Sequence, residues 1–442
     1  MEFVDRVSEL DRLESVLESE GSELVVLYGR RRIGKSELVK QAFSGRESVY
    51  FQATESTPEI QLDDFIDSVS EVYPEVSGVR KGWEPVLKFL AEKDAVVAID
   101  EFPYIVESDK SVPSVFQRFW DSQDSSIKLV LVGSSISVME EEVLSGGSPL
   151  HGRWTERFDL KPLDFDSACK FFPDYSVEES IGAWSVFGGT PHYLKSLDAE
   201  KSLEHNISRL VISEQGSLRD EPEFLLRSEL SQPQRYMAIL KAIASGNVKR
   251  NRIVQETGLE NIGTYLSKLE RLRLVEREVP VTEDPPRSRS GRYRIKEPMV
   301  KFWFRFVYGN EDRIGLTETP FEDIVEPGLS DFIAPRFEQL CIDKLPKLIE
   351  RDFTATGRWW YQEHEIDVVG LKEDGKVLGE CKYTSTKVGT GLLKDLERKE
   401  KHIRVDGDTE YVLFSKSGFT DELKGLEAER KDLYLFTAQD LL

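Results

Sequence analysis

Only three cysteines occur in 442 residues, Cys169, Cys341 and Cys381. Their odd number and wide spacing exclude a disulfide framework or a four-ligand zinc site, and they are expected to be reduced. Long apolar runs are also missing. No stretch approaches the roughly 20 residues that a membrane-spanning helix requires. The first residues, Met1-Glu-Phe-Val-Asp5, have neither the basic start nor the apolar centre of a secretion signal. A cytoplasmic protein with no membrane partner is expected. Positive charge is in deficit: 59 Lys and Arg against 81 Asp and Glu give a net charge of −22. That balance argues against indiscriminate binding to nucleic acid, while a local basic patch could still contact it. The same acidity suits ordinary solubility or a high-salt cytoplasm.

What is present is globular in character, with 39% hydrophobic and 32% charged residues. The length exceeds what one core can organise, and about three domains are expected. The chain is organised around Gly29-Arg30-Arg31-Arg32-Ile33-Gly34-Lys35-Ser36, which matches G-x-x-x-x-G-K-[ST] at every fixed position. An apolar run at 23–28 precedes it and a helical pattern opening at Glu37 follows, so the context is strand, loop, helix. A glycine turn that merely happens to precede a lysine would not need that context. In such a loop, backbone N–H groups and the positive end of the helix face the phosphates of ATP. Lys35 then reaches the β- and γ-phosphates, and the Ser36 hydroxyl takes one position on Mg²⁺.

Ahead of the loop, residues 5–17 carry apolar residues at helical spacing after Asp5, a plausible N-cap. That helix either covers the adenine or simply packs. Residues 48–53 read as a second strand, and two helical stretches, 60–72 and 83–92, lead to Ala95-Val-Val-Ala-Ile-Asp100-Glu101-Phe102. A buried strand here delivers Asp100 to its carboxyl end, where ligands of open α/β sheets bind. Asp100 is expected to hold Mg²⁺ through water, and Glu101 to orient or deprotonate the attacking water. An apolar strand ending in two acids can also be a solvated strand end, but here a phosphate loop lies upstream. The additional strand between loop and acid pair indicates the P-loop branch that carries a catalytic glutamate.

A further strand at 128–133 is followed by Ser134 and Ser135, placed either to hydrogen-bond the γ-phosphate or lytic water or to cap a helix. Ser135 is the catalytic candidate of the two. Residues 150–163 read as a loop leading into a fifth strand. On it Arg153, behind a glycine, and Arg157 could supply positive charge to phosphoryl transfer, in cis or to the neighbouring subunit of a homo-oligomer.

Together with Val132-Gly-Ser-Ser-Ile-Ser137, Gly152-Arg153 and Phe187-Gly-Gly-Thr-Pro191-His-Tyr-Leu194, these motifs resemble the archaeal ATPase family, in the STAND-like branch of AAA+-related P-loop NTPases. The resemblance covers nearly the whole chain and includes a C-terminal DUF234-type domain. It implies a P-loop parallel sheet over 1–164, a helical lid over 165–227, and a glycine-proline motif at 188–191 near the nucleotide. Taken alone, the 188–191 segment is a turn between two helices.

Residues 233–244, 250–258 and 261–272 read as three helices, and 275–281 with 291–295 as a hairpin, the pattern of a winged helix-turn-helix over 228–297. Its hairpin carries Arg287, Arg289, Arg292 and Arg294, the best sign of a phosphate contact to DNA in so acidic a chain. The same fold could instead serve only for packing and for sensing the nucleotide state. Residues 298–325 are taken as a linker, although the aromatic run 297–308 suits core at a domain junction better than base stacking.

The last part, 326–442, begins with an amphipathic helix bearing one acid, Glu338. The runs 359–370 and 377–383 read as strands joined by a turn at 373–375, which would bring Asp367 near Glu380 and Lys382 on one face. Two carboxylates and a lysine so arranged can bind Mg²⁺ and polarise a water for phosphodiester cleavage. A solvated hairpin can carry the same residues by accident, but the apolar flanks point to a buried sheet. The segment resembles the PD-(D/E)xK nuclease superfamily, an α/β restriction-endonuclease-like fold. Asp367, Glu380 and Lys382 match its motif, Glu338 corresponds to the additional helical acid, and Ile366 stands where a proline is usually written. Folds of this kind also act as plain binding modules.

These readings converge on an ATPase, with Lys35, Ser36, Asp100 and Glu101 carrying the chemistry. Two alternatives stand beside it: a slow nucleotide-dependent switch that engages a protein partner, and an ATP-licensed DNA nuclease.

Overall fold

The computed structural model describes residues 4–230 and 232–442. It divides into two units. The first runs to Leu163 and takes in Thr190–His192, and the second holds the rest.

In the first unit, β1 (Glu23–Tyr28), β2 (Ser48–Gln52), β3 (Val96–Asp100), β4 (Lys128–Gly133) and β5 (Glu156–Asp159) form one sheet in the order β2-β3-β4-β1-β5. Every pairing is parallel, which puts all the carboxyl ends at one edge. Parallel strands buried on both faces read as unbroken apolar runs, and side chains alternate between the two layers. Leu24, Val26 and Tyr28 of β1 pack with Phe65, Trp83 and Phe116, whereas Val25 and Leu27 pack with Leu13, Leu38 and Val39. The second layer belongs to α1 (Val7–Glu18) and α2 (Lys35–Phe43). This is the parallel α/β sheet, with a phosphate loop after its first strand, that the sequence implied.

The start of α1 differs from expectation. Arg6, not Asp5, occupies the N-cap, in the left-handed region at φ 61°. Its side chain is committed elsewhere, as described below.

In the second unit, Ser176 and Glu179 form a capping box at the start of the helix Val177–Phe187. Helices Pro233–Ala244, Arg250–Thr257 and Gly263–Arg271 follow. Gly258, at φ 65°, supplies the left-handed turn that ends the middle one. Strands β6 (Val275–Glu278) and β7 (Arg292–Ile295) pair as an antiparallel hairpin.

The stretch 298–325 corrects the expectation of a linker. It is largely helical, and Phe302, Trp303, Phe306 and Phe321 are buried. Phe302 and Phe332 meet edge to face at 5.4 Å. Aromatic area of this size is costly to leave in water, so the segment packs instead of spacing.

The helix Glu326–Leu348 is 23 residues long and carries Glu338, as the sequence implied. It precedes a second sheet, in the order β12-β11-β10-β9-β8, of β8 (Ala355–Tyr361), β9 (His364–Leu371), β10 (Gly375–Lys382), β11 (Asp408–Ser415) and β12 (Leu433–Thr437). Strands β8, β9 and β10 pair antiparallel, and β10, β11 and β12 parallel. Ile366, Leu378 and Leu413 pack with Leu393, Leu396 and Leu423 of the covering helices. Among the described residues, no helix is long and apolar enough to cross a membrane.

Candidate nucleotide site and a second acidic site

Gly29 leaves β1 at φ 153°, and a Cβ there would lie 2.4 Å from the carbonyl oxygen of Leu160. Only glycine lets the loop pass that backbone. Arg32 at φ 67° and Gly34 at φ 90° complete the curl, and Gly34 stands at the N-cap of α2 with no side-chain cap. The first amides of α2 are thus kept from protein side-chain acceptors at the end of the helix that favours an anion. Lys35 is buried, and its Nζ donates to the carbonyl oxygens of Gly29 (3.0 Å) and Arg30 (2.8 Å). The amine therefore lies over the loop itself.

Parallel pairing of β1, β4 and β3 places the acid pair beside this loop. Ser36 Oγ donates to Asp100 Oδ2 at 2.5 Å, and the Tyr50 hydroxyl donates to the same oxygen. Asp100 Oδ1 accepts from the Glu101 backbone N–H at 2.9 Å. Burial and the adjacent Asp100 carboxylate push the Tyr50 phenol well up from its ordinary value. Glu101 sits in the left-handed region, φ 56°, where a non-glycine residue costs energy and recurs at functional positions. Its carboxylate accepts from the Ser134 hydroxyl (2.5 Å) and the Ser134 N–H (3.3 Å). Of the two serines it is Ser134 that reaches Glu101, whereas Ser135 stands at the N-cap of the helix that follows.

Arg153 is turned to other work. Its guanidinium meets Asp121 through Nε (2.7 Å) and Nη2 (2.8 Å), and also donates to the carbonyl oxygens of Pro149 and His151. Arg157 is exposed, with its guanidinium 5.8 Å from the Trp154 ring centre. Arg31 donates to the Tyr104 hydroxyl at 2.8 Å. Two contributors were not named from sequence. Arg6, 6% exposed, donates through Nη2 to the carbonyl oxygens of Ile33 (2.8 Å) and Lys161 (2.7 Å), tying the loop to the chain beyond β5. Tyr50 is the other. Its signal was the aromatic at the middle of β2, but only the β2–β3 register reveals its partner.

The residues suit Mg²⁺ and ATP: a hydroxyl and a carboxylate already in contact, beside a loop whose backbone tolerates no side chain at Gly29 and a helix start left uncapped.

In the second sheet, Asp367 and Glu380 lie one step past the Val368–Gly379 pair, and Lys382 follows two residues along β10. Asp367 Oδ2 accepts from the Cys381 N–H at 3.0 Å. Glu380 pairs with Lys399 and, at 3.5 Å, with Lys382. Burial, and then the charge of Asp367, push the Glu380 carboxyl up to about 7 against the pull of those lysines. Burial and Asp367 likewise raise Glu338. Glu338, however, accepts from Arg358 Nε at 3.2 Å, and the same guanidinium holds Glu278 at 2.8 Å. Among the described residues, no three His, Cys, Asp or Glu side chains converge as a ready cation site. The expected residues share one neighbourhood, with Arg358 and Lys399 answering two of the acids.

The arginines of the hairpin are largely occupied. Arg292 binds Glu365 at 2.9 Å, Arg294 binds Glu278 at 2.6 Å, and Arg287 approaches Asp284 at 3.5 Å. Arg287 and Arg289 are exposed.

Residues 3–197 match the family described as an ATPase domain predominantly from Archaea, and residues 303–400 a family described as Archaea bacterial proteins of unknown function. The chain is 34% identical over 454 residues to an uncharacterized protein of Methanocaldococcus jannaschii, MJECL04, covering 99% of each. Among solved structures it is similar to the ORC2 protein of Aeropyrum pernix, at 15% identity and a TM-score of 0.47, over 71% of this chain and 95% of that one. It is also similar to a variant RuvB of Thermotoga maritima, at 14% identity and a TM-score of 0.33, over 62% and 90%.

Proposed function

Because the chain belongs to the archaeal ATPase family, we propose that it is a Mg²⁺-dependent ATP hydrolase whose nucleotide state is coupled to a winged helix and a nuclease-like C-terminal domain acting on DNA. The observation that carries the reading is the convergence of Ser36, Asp100, Glu101 and Ser134 at the carboxyl edge of the first sheet, beside the loop 29–36. Ser36 and Asp100 would hold Mg²⁺, which when bound neutralises charge on the transferring phosphoryl group. The backbone of 29–35 orients the phosphates, and Lys35 exchanges its two loop carbonyls for phosphate oxygens. Glu101 orients the attacking water and takes its proton.

Coupling has a route along the chain. Within the first unit, the His192 N–H donates to the Arg32 carbonyl at 3.4 Å, and a Cβ at Gly34 would stand 3.9 Å from Pro191. The residues on both sides of Thr190–His192 belong to the second unit. A phosphate that shifts the loop therefore moves a segment continuous with the lid, residues 165–227, and through it the winged helix, 228–297, and the C-terminal domain from 326. Support for DNA comes from a groove lined by Lys249, Arg250, Asn251, Arg289 and the exposed Tyr361, which joins cations for phosphates to an aromatic ring for a base.

The test is steady-state ATP hydrolysis with Mg²⁺, with and without duplex, branched and single-stranded DNA. Turnover lost in Lys35→Ala, and lost with nucleotide binding retained in Glu101→Gln, is the expected result. Turnover indifferent to Lys35 would refute the ATPase, and turnover indifferent to every DNA form would remove DNA as its target. One contact favours a second reading. The Ser134 hydroxyl occupies the Glu101 oxygen that a water would use, which suits a switch that hydrolyses slowly. On that reading Ser134→Ala raises basal turnover severalfold, and an unchanged or lower rate counts against it.

A further inference from the structure

The acidity of this chain makes one cavity in the second unit unusual. It has a volume of about 410 Å³, within the range of roughly 300–1,000 Å³ typical of small-molecule sites. Its walls come from the helix Pro233–Ala244, the β6–β7 hairpin, the helix Pro298–Phe302 and the long helix Glu326–Leu348. Seven lining residues are cationic and two, Glu276 and Asp331, are acidic. Four of the cations are answered by carboxylates: Arg292 by Glu365, Arg294 by Glu278, Lys296 by Glu276, and Arg358 by Glu278 and Glu338.

Three are not. Among the described residues, Lys301, Arg305 and Arg336 enter no ion pair. Lys301 lies 4.9 Å from the Phe332 ring centre, and the Arg336 guanidinium 3.5 Å from that of Trp184. The Arg336 Nε is sealed from solvent without a hydrogen-bond acceptor. A guanidinium held this deep without an acid in contact is costly, and an anion reaching its remaining nitrogens from the cavity would offset that cost. Most of the remaining wall is apolar, with Ile243, Val248, Ile295, Pro298 and Phe332 beside the polar Ser185 and Gln339.

We propose that this cavity binds a small organic phosphate of about mononucleotide size, its phosphate held by Lys301 and Arg336 and its uncharged body against Phe332 and Ile243. A guanidinium fork and an ammonium suit a phosphate better than any neutral group. An extended phosphodiester backbone has no use for the apolar wall. The electrostatics agree: burial, then the neighbouring Arg294 and Arg336 together with Arg358, lower the Lys301 ammonium to about 8 against the pull of Glu338, and burial, with Arg358, lowers Arg336 to about 10 against the pull of Glu297, Asp343 and Glu276. An anion between them favours the charged forms, so binding near pH 8 takes up a proton.

The experiment is calorimetric titration of the full chain with AMP, adenosine and inorganic pyrophosphate near pH 8, in two buffers of different ionisation enthalpy. Lys35→Ala reports on the phosphate loop of the first unit, and Lys301→Met, Lys301→Arg and Arg336→Met on the cavity. AMP is expected to bind with proton uptake, about as well in Lys35→Ala and Lys301→Arg, and at least tenfold more weakly in Lys301→Met and Arg336→Met. Should either methionine variant fail to fold, the other and the proton uptake still decide. Adenosine binding as tightly as AMP would overturn the phosphate contact, and pyrophosphate binding as tightly as AMP would overturn the apolar half. AMP binding abolished only by Lys35→Ala, or no AMP binding at millimolar concentration, would overturn the site.

Discussion

Replacing Tyr50 by phenylalanine removes one oxygen and separates two states of the nucleotide site. The Tyr50 hydroxyl and Ser36 both donate to Asp100 Oδ2, and Asp100 is 1% exposed, so bulk solvent does not readily replace a lost donor. A hydrogen bond to a buried charge contributes about 1.5–3 kcal/mol. At about 2–4 °C per kcal/mol for a domain near this size, the first unit should melt roughly 3–12 °C lower in Tyr50→Phe. With Mg²⁺ and a non-hydrolysable ATP analogue, a hydrated cation offers Asp100 the missing donor. Much of the loss should then vanish. Differential scanning calorimetry with and without Mg²⁺ and analogue therefore shows a larger ligand-induced rise in the variant than in the unaltered protein. An equal loss in both conditions would refute competition for Asp100, and no loss in either would refute the hydrogen bond itself.

Three further outcomes follow. Gly29→Ala places a Cβ 2.4 Å from the Leu160 carbonyl oxygen and 2.5 Å from the Ile33 side chain, so the fixed backbone of Leu160 cannot give way. Nucleotide binding should be lost in equilibrium dialysis, with about 1–3 kcal/mol of stability; retained affinity would contradict the loop geometry. Arg358→Met strips a guanidinium that is 3% exposed from Glu278, Glu338, Gln339 and Pro335, and about 3–5 kcal/mol should go in urea titration. A loss below about 1 kcal/mol would show that Arg294 and water suffice for the two acids. Glu380 holds its proton more tightly folded, near 7, than at its ordinary 4.5. The penalty of ionising it is present above the folded value and shrinks as pH falls towards the unfolded one. The second unit's melting point should rise between about pH 8 and pH 6, and the rise should flatten in Glu380→Gln. An equal rise in the variant would assign the effect to another group.

The phosphate site was legible because its chemistry requires contiguous residues. Gly29, Gly34, Lys35 and Ser36 must adjoin one another, and Asp100 and Glu101 must end a buried strand. What escaped depends on pairings across distance. Tyr50 meets Asp100 only through the register of β2 on β3. Arg6 serves carbonyls 27 and 155 residues away. The hairpin arginines looked like a free cluster because their partners, Glu278 and Glu365, lie in other strands. Likewise Glu338 reads as an isolated helical acid until Arg358 arrives from β8. The aromatic stretch after 298 was legible as core by composition, yet its boundaries suggested a connector, and only its packing shows that it belongs to the second unit's interior.

The segment Thr190–His192 has a consequence for how this chain comes to exist. The first unit is complete only when those three residues join it, although its last strand ends at Asp159. On the ribosome, where chains emerge at about 5–20 residues per second, the sheet can assemble seconds before the loop at Arg32 and Gly34 acquires its last neighbours. A fragment cut after Leu163 is accordingly missing part of its own nucleotide site. Excision of residues 165–227 amounts to an amputation within the first unit.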